Sequence, residues 1–202
     1  ARRHRASDRP PASGGCVMPI RADAMARAKK IKCVILDVDG VLTDGGIYVA
    51  PDGSELYKPF FARDGLAITL AHKVGIVPAI ITGRASSIVE NRARELHIDL
   101  VYQGKLDKRA AYADIKAKTG LTDEEIAYIG DDIVDLPILR MVGLPCAVGD
   151  AVPEVKEVAQ IIADAHGGRG AVREIYEIIL KTQGLWEEVL TVFQTDTEGA
   201  AQ

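Results

Sequence analysis

The chain has 202 residues, of which 48% are hydrophobic, 27% charged and 5% aromatic, with 19 Gly and 9 Pro. That suits one packed domain with some length to spare and excludes a collagen-like repeat, a coiled coil and a wholly disordered chain. The net charge of -4 is unevenly spread, because residues 1–30 carry eight Arg/Lys against Asp8 and Asp23 and so leave -10 on the other 172; a core that acidic is a poor general binder of nucleic acid.

Residues 1–25 are rich in Arg, Pro, Ser and Gly, without the apolar stretch of a secretory signal, and read as a disordered basic extension. No apolar run approaches the roughly 18 residues of a membrane span. Cys16, Cys33 and Cys146 are widely separated, which argues against a disulfide framework or a zinc site and fits a reducing, cytoplasmic setting.

The domain is expected over 26–185. Cys33–Leu36 is a first buried strand, ending in Asp37-Val38-Asp39-Gly40. A β-hairpin follows at about 46–58, with Ile47–Val49 and Glu55–Tyr57 joined by Pro51-Asp52-Gly53. Leu66, Leu70 and Val74 mark a helix, Gly75–Ile81 a strand, Ile88, Ala93 and Leu96 a second helix, and Ile98–Tyr102 a further strand. Ala110–Lys118 is helical, with Ala111, Ile115 and Lys118 on one stripe, and Thr122–Glu125 is a capping box ahead of the strand Ile126–Ile129. Ile133–Met141, Val155–Val158 and Ala171–Leu180 complete the helices, and Leu144–Val148 and Ala159–Ala163 the strands. Residues 186–202, with Glu187, Glu188, Asp196 and Glu198, read as a loose acidic tail. Continuous apolar runs alternating with helices predict an α/β, doubly wound (Rossmann-like) parallel sheet with helices on both faces. The small hairpin is an insertion after its first strand.

Residues able to do chemistry gather just after the expected strands. Asp37 and Asp39 can converge because Gly40 lets the chain turn at once. Thr82-Gly83 can expose backbone N–H groups as an anion nest. Lys105 and Lys108 flank Asp107 before a helix, where a lysine is usually a solvated charge and gains weight only in combination with the other strand-end residues. Asp131, Asp132 and Asp135 place three carboxylates within five residues. Their mutual repulsion calls for a hard cation such as Mg²⁺, although Asp131 or Asp132 could instead cap a helix.

In order, D-V-D-G-V, I-T-G-R, a lysine before a helix and G-D-D-x-x-D resemble the four motifs of the haloacid dehalogenase superfamily, from about Ile31 to Lys181. The hairpin in place of a large cap resembles its capless tetrameric subgroup. Phe60–Gly65, Tyr102–Gly104 and Gly167–Glu174 resemble the corresponding segments of the phosphatases of 3-deoxy-D-manno-octulosonate 8-phosphate, which serve lipopolysaccharide biosynthesis.

The resemblance implies an aspartyl-phosphate mechanism with Asp37 as nucleophile and Asp39 as acid and base. It implies Mg²⁺ held by Asp37, the Asp39 carbonyl, Asp131 and, through water, Asp135, with Asp132 orienting Lys108. Thr82 and Lys108 would hold the phosphoryl oxygens, Lys108 being favoured over Lys105 by the family's motif spacing. Arg63, Asp64, Gly65, Gly83, Arg84, Arg92 and Arg169 would meet the sugar acid, the arginines its carboxylate. The implied assembly is a homotetramer with the hairpin Ile47–Tyr57 in its interface and Gly167–Gly170 reaching a neighbour's site. The sequence departs from the family at Phe61-Ala62, where Asn-Val is common, and an apolar ring there replaces an amide donor.

Two rival readings remain. A phosphatase of a nine-carbon sialic or deaminated sialic acid 9-phosphate keeps the chemistry, but Arg63 and Gly167–Arg169 resemble the eight-carbon enzymes. A receiver-like phospho-signalling module needs an early acidic pair and a mid-sheet acceptor, whereas here Asp39 follows Asp37 directly and the dense acidic cluster comes late.

Overall fold

Of the 202 residues, the computed structural model describes residues 21–191. A short helix α1 (Ala24–Ala28) leads into β1 (Cys33–Leu36), then the hairpin of β2 (Tyr48–Val49) and β3 (Glu55–Tyr57). Helix α2 (Ala62–Lys73), β4 (Val77–Ile81), α3 (Ser87–Glu95), β5 (Leu100–Tyr102) and α4 (Arg109–Thr119) follow. The chain continues through β6 (Ile126–Gly130), α5 (Leu136–Leu139), β7 (Leu144–Ala147), α6 (Pro153–Val158), β8 (Ile161–Ile162) and α7 (Ala171–Thr182).

Six of these strands form one parallel sheet in the order β5-β4-β1-β6-β7-β8, and β2 and β3 form a separate antiparallel pair. The expected α/β doubly wound sheet is therefore observed. Every residue of β1 and β6 is buried, which is why these strands read as unbroken apolar runs. Helices α1, α2 and α7 pack together, as do α4, α5 and α6. Strand β1 lies between β4 and β6, with Leu36 level with Ile80 on one side and Ile129 on the other. The strand order changes direction here, so the loops after β1, β4 and β6 share one crevice. No helix among the described residues is long and apolar enough to cross a membrane.

Several local expectations are corrected. Leu66 is exposed on α2, because the buried side is formed by Ala67, Ile68, Leu70 and Ala71, on a helix that packs against α7. On α4 the buried stripe is Ala111, Tyr112 and Ile115, while Lys118 faces out and bonds Asp114 and Tyr102. The helix expected over Ile133–Met141 is a tight turn at Ile133–Asp135 followed by the one-turn α5. The boundary at residue 26 falls inside α1, whose Ala24 and Ala28 belong to the core. At the other end the expected loose segment is docked at its start: Val189 is buried, and the Trp186 ring lies 5.1 Å from the Arg173 guanidinium carbon and 5.0 Å from Lys181 Nζ. The expectations for residues 1–20 and 192–202 lie outside the described residues.

Ile175 lies on the buried face of α7. Replacing Ile175 with Ala should lower stability by about 2–5 kcal/mol. Urea unfolding should then show a lower midpoint with an unchanged slope.

Candidate active site

Beyond Leu36 the backbone opens into one wide turn over Val38–Leu42, closed by Thr43 N–H donating to the Val38 carbonyl at 3.0 Å. Gly40, at φ 87°, turns it sharply enough for Asp37 and Asp39 to serve one crevice. A side chain at Gly40 would also displace the Asp131 carboxylate, because its Cβ would lie 2.0 Å from Asp131 Oδ2. The crevice is lined by Asp37, Asp39, Thr82, Gly83, Arg84, Lys108, Asp131, Asp132 and Val134. The residues expected after β1, β4, β5 and β6 thus converge.

Lys108 settles the alternative with Lys105. It is buried, with Nζ 3.0 Å from Asp37 Oδ1, 2.7 Å from Asp135 Oδ1 and 2.9 Å from the Tyr128 hydroxyl; Lys105 is exposed. Asp132 does not orient Lys108, contrary to expectation. Its carboxylate caps the next turn by accepting from Ile133 N–H at 2.7 Å, and Asp135 takes the orienting place. Asp135 is fully buried: Oδ1 also accepts from Tyr128, and Oδ2 accepts from Asp131 N–H at 3.0 Å. The preceding Gly130 is needed for this packing, since a Cβ there would meet Asp135 Oδ2 at 2.6 Å.

Burial, then the Asp135 charge, pushes the Asp37 carboxyl up to about 7 despite Lys108 beside it. Burial, then Asp37 and Asp135, pushes Asp131 up to about 8. Burial alone would lower the Lys108 ammonium, but Asp37 and Asp135 outweigh it and hold it above its ordinary value. Asp37, Asp131 and Asp135 offer oxygens within 4.8 Å of one another, and Asp131 Oδ1 is buried without a hydrogen-bond partner. An all-oxygen set with an orphaned carboxylate oxygen fits a hard divalent cation.

The expected sugar-binding residues divide. Gly83 and Arg84 line the crevice, with Arg84 Nε 3.8 Å from Asp39 Oδ2. Gly65 and Arg92 line an adjacent apolar pocket with Phe60, Phe61 and Leu96, where Gly65 leaves room for the Arg92 guanidinium. Phe61, the departure from the family pattern, forms part of this wall. Asp64 shares it, but its carboxylate accepts from the backbone of Gly170 at 3.3 Å and Arg173 at 2.8 Å, tying α2 to the start of α7. Arg63 is exposed outside both linings.

Gly167–Gly170 is no free arm toward a neighbour. Gly168 N–H donates to the Val41 carbonyl at 2.9 Å, and a Cβ on Gly167 would lie 1.7 Å from the Gly40 carbonyl oxygen. The segment is wedged against its own chain's loop after β1, with Arg169 reaching Asp44 at 3.3 Å. Sequence reasoning missed Lys58, a buried cation on the hairpin side that bonds Asp39; a lone lysine directly after an exposed strand pair carried no visible signal.

Residues 92–175 match the family model of the haloacid dehalogenase-like hydrolases. The chain is 45% identical over 173 residues to the 3-deoxy-D-manno-octulosonate 8-phosphate phosphatase KdsC of Escherichia coli (strain B / BL21-DE3), covering 86% of this chain and 92% of that protein. It belongs to the haloacid dehalogenase-like hydrolases. The 3-deoxy-D-manno-octulosonate 8-phosphate phosphatase of Yersinia pestis superposes with a TM-score of 0.80 at 44% identity, over 82% of this chain and 89% of that one. The enzyme of that name from Moraxella catarrhalis, solved with magnesium, phosphate and a KDO molecule, gives 0.82 at 38% identity, over 86% and 99%. Membership accounts for the order of the strand-end residues in this hydrolase, with Asp37 and Asp39 after β1 and the Asp131–Asp135 cluster after its neighbour β6.

Because the folded protein holds Asp37 and Asp131 above the ordinary carboxylate value of 3.8, it binds more protons than the unfolded chain between about pH 4 and 8. Without metal, stability should therefore fall as pH rises through that window. A divalent cation binds the deprotonated carboxylates, so Mg²⁺ should raise the melting temperature more at about pH 8 than at about pH 5. Thermal melts with Mg²⁺ or chelator at both pH values test this, and a Mg²⁺ shift equal at both would contradict it.

Proposed function

We propose that this hydrolase cleaves 3-deoxy-D-manno-octulosonate 8-phosphate to the free sugar acid and phosphate, with Mg²⁺, in the cytoplasm and in the service of lipopolysaccharide biosynthesis. The observation that carries the reading is the buried Asp37–Lys108–Asp135 ion pair beside Asp131, opening onto a crevice with Asp39, Thr82 and Arg84. Identity of 43–45% with curated phosphatases of this sugar phosphate supports the substrate.

In this reading Asp37 attacks phosphorus and becomes an aspartyl-phosphate, while Asp39 gives a proton to the departing sugar oxygen. Asp39 then takes a proton from the water that attacks the intermediate. Lys108 and the Thr82-Gly83 turn hold the phosphoryl oxygens, and Lys108 also keeps the Asp37 carboxylate turned into the crevice. A divalent cation would be held by Asp37, the Asp39 carbonyl and Asp131, and would supply charge that offsets the repulsion between Asp37 and a dianionic phosphate. Asp135 adds its charge from behind, its oxygens being engaged by Lys108, Tyr128 and Asp131 N–H. Arg84 at the rim and Arg92 over the apolar wall, with Arg63 and Arg169 outside them, are the cations available to the sugar acid's carboxylate.

A screen over sugar phosphates with and without Mg²⁺ tests this function. Phosphate release should be greatest on the eight-carbon substrate, require Mg²⁺, and fall by at least about 10⁴-fold in Asp37→Asn with the melting profile retained. Preference for a nine-carbon sialic acid 9-phosphate would change the substrate. Undiminished turnover by Asp37→Asn would overturn the mechanism.

The same reading includes a homotetramer. Its support is the hairpin, which leaves Ile47, Val49, Leu56 and Tyr57 exposed at 48%, 55%, 59% and 47%, a density of apolar surface that suits burial between subunits. Light scattering should give four times the chain mass, and Val49→Asp with Leu56→Asp should shift the protein to smaller species.

A further inference from the structure

Lys58 is a lysine with almost no access to solvent. Its side chain is 2% exposed, and its ammonium donates to Asp39 Oδ1 and lies 3.2 Å from Glu55 Oε1. The other Glu55 oxygen accepts from the Ser86 hydroxyl. Ser86 begins α3 directly after the Thr82-Gly83-Arg84 turn and caps it at Val89 N–H. One buried cation therefore joins three separate pieces of chain: the turn after β1, the end of the hairpin and the start of α3.

We propose that Lys58 is a positioning residue for the proton transfers of Asp39. An ammonium has three donors and no acceptor. The Asp39 oxygen that it engages is therefore committed as an acceptor, which fixes the carboxyl plane and leaves Oδ2, on the Arg84 side of the crevice, to face the reacting oxygens. Glu55 holds Lys58 from its other side, so the contact with Asp39 has a fixed place. Anchorage of Glu55 to Ser86 fixes the position of Lys58 relative to the phosphoryl-binding turn. Lys58 touches neither the cation cluster nor Lys108 and acts through Asp39. This inference rests on the phosphatase reading above, and wild-type turnover is its control.

The test compares two leaving groups in the first turnover, followed by stopped flow at saturating substrate and Mg²⁺. 4-Nitrophenolate leaves without a proton, whereas a sugar alkoxide needs one. Lys58→Met keeps the aliphatic stem and removes the donor. It should slow the first turnover of the sugar phosphate by about 10–100-fold, less than the roughly 10²–10⁴-fold that general acid catalysis supplies in full. Nitrophenol should still appear in a burst, slowed far less, followed by slow steady turnover as the phosphorylated Asp37 waits for its water to be deprotonated. Glu55→Gln, which frees Lys58 without removing it, should show the same selectivity to a smaller degree, and it serves as the deciding variant should Lys58→Met fail to fold. An equal loss on both substrates, no loss on either, or a rise in KM alone would overturn the positioning role. Wild-type protein that hydrolyses neither substrate would instead overturn the phosphatase reading.

Discussion

Asp37, Asp131 and Asp135 come within 4.8 Å of one another with a single buried ammonium, Lys108, among them. Three like charges in a poorly solvated place repel strongly, and one lysine cannot neutralise them all. The arrangement is held because Asp135 is saturated with donors and because the sheet places the three chain segments side by side. What remains is a pressure on Asp37 and Asp131 to keep their protons where an ionised carboxylate would have to approach a phosphate, a conflict that a divalent cation resolves.

The backbone around this cluster is shaped by absent side chains. Gly40 and Gly130 leave space for the Asp131 and Asp135 carboxylates, and Gly167 leaves space for the Gly40 carbonyl. These contacts stack the loop after β1, the loop after β6 and the start of α7 on one another. Asp64 fastens the same stack from α2 through the backbone of Gly170 and Arg173. A carboxylate expected to face sugar is thereby also a structural clasp.

Much of this was legible in the sequence, and the reason is geometric. In a parallel sheet a residue just after an apolar run is delivered to one edge, so Asp37, Thr82, Lys108 and Asp131 could be grouped without coordinates. Side-chain pairings were less accessible. Asp132 and Asp135 both belong to the fourth motif, and only the tight turn over Ile133–Asp135 shows that the latter points back to Lys108. Lys58 was invisible because its partner lies 19 residues away across a hairpin. Helical periodicity misplaced Leu66 because α2 turns its small residues, Ala67 and Ala71, toward α7. Helix α1, of five residues, is too short for any periodic signal.

Trp186 is the chain's one tryptophan, and its ring is flanked by Arg173 and Lys181 of α7. Indole emission from this protein therefore has a single origin, at the place where the residues after α7 fold back onto it. Cationic neighbours and partial burial make that emission sensitive to undocking of the segment as well as to global unfolding. The molecule thus carries its own optical reporter for the attachment of its C-terminal segment, at a site distinct from the reacting carboxylates.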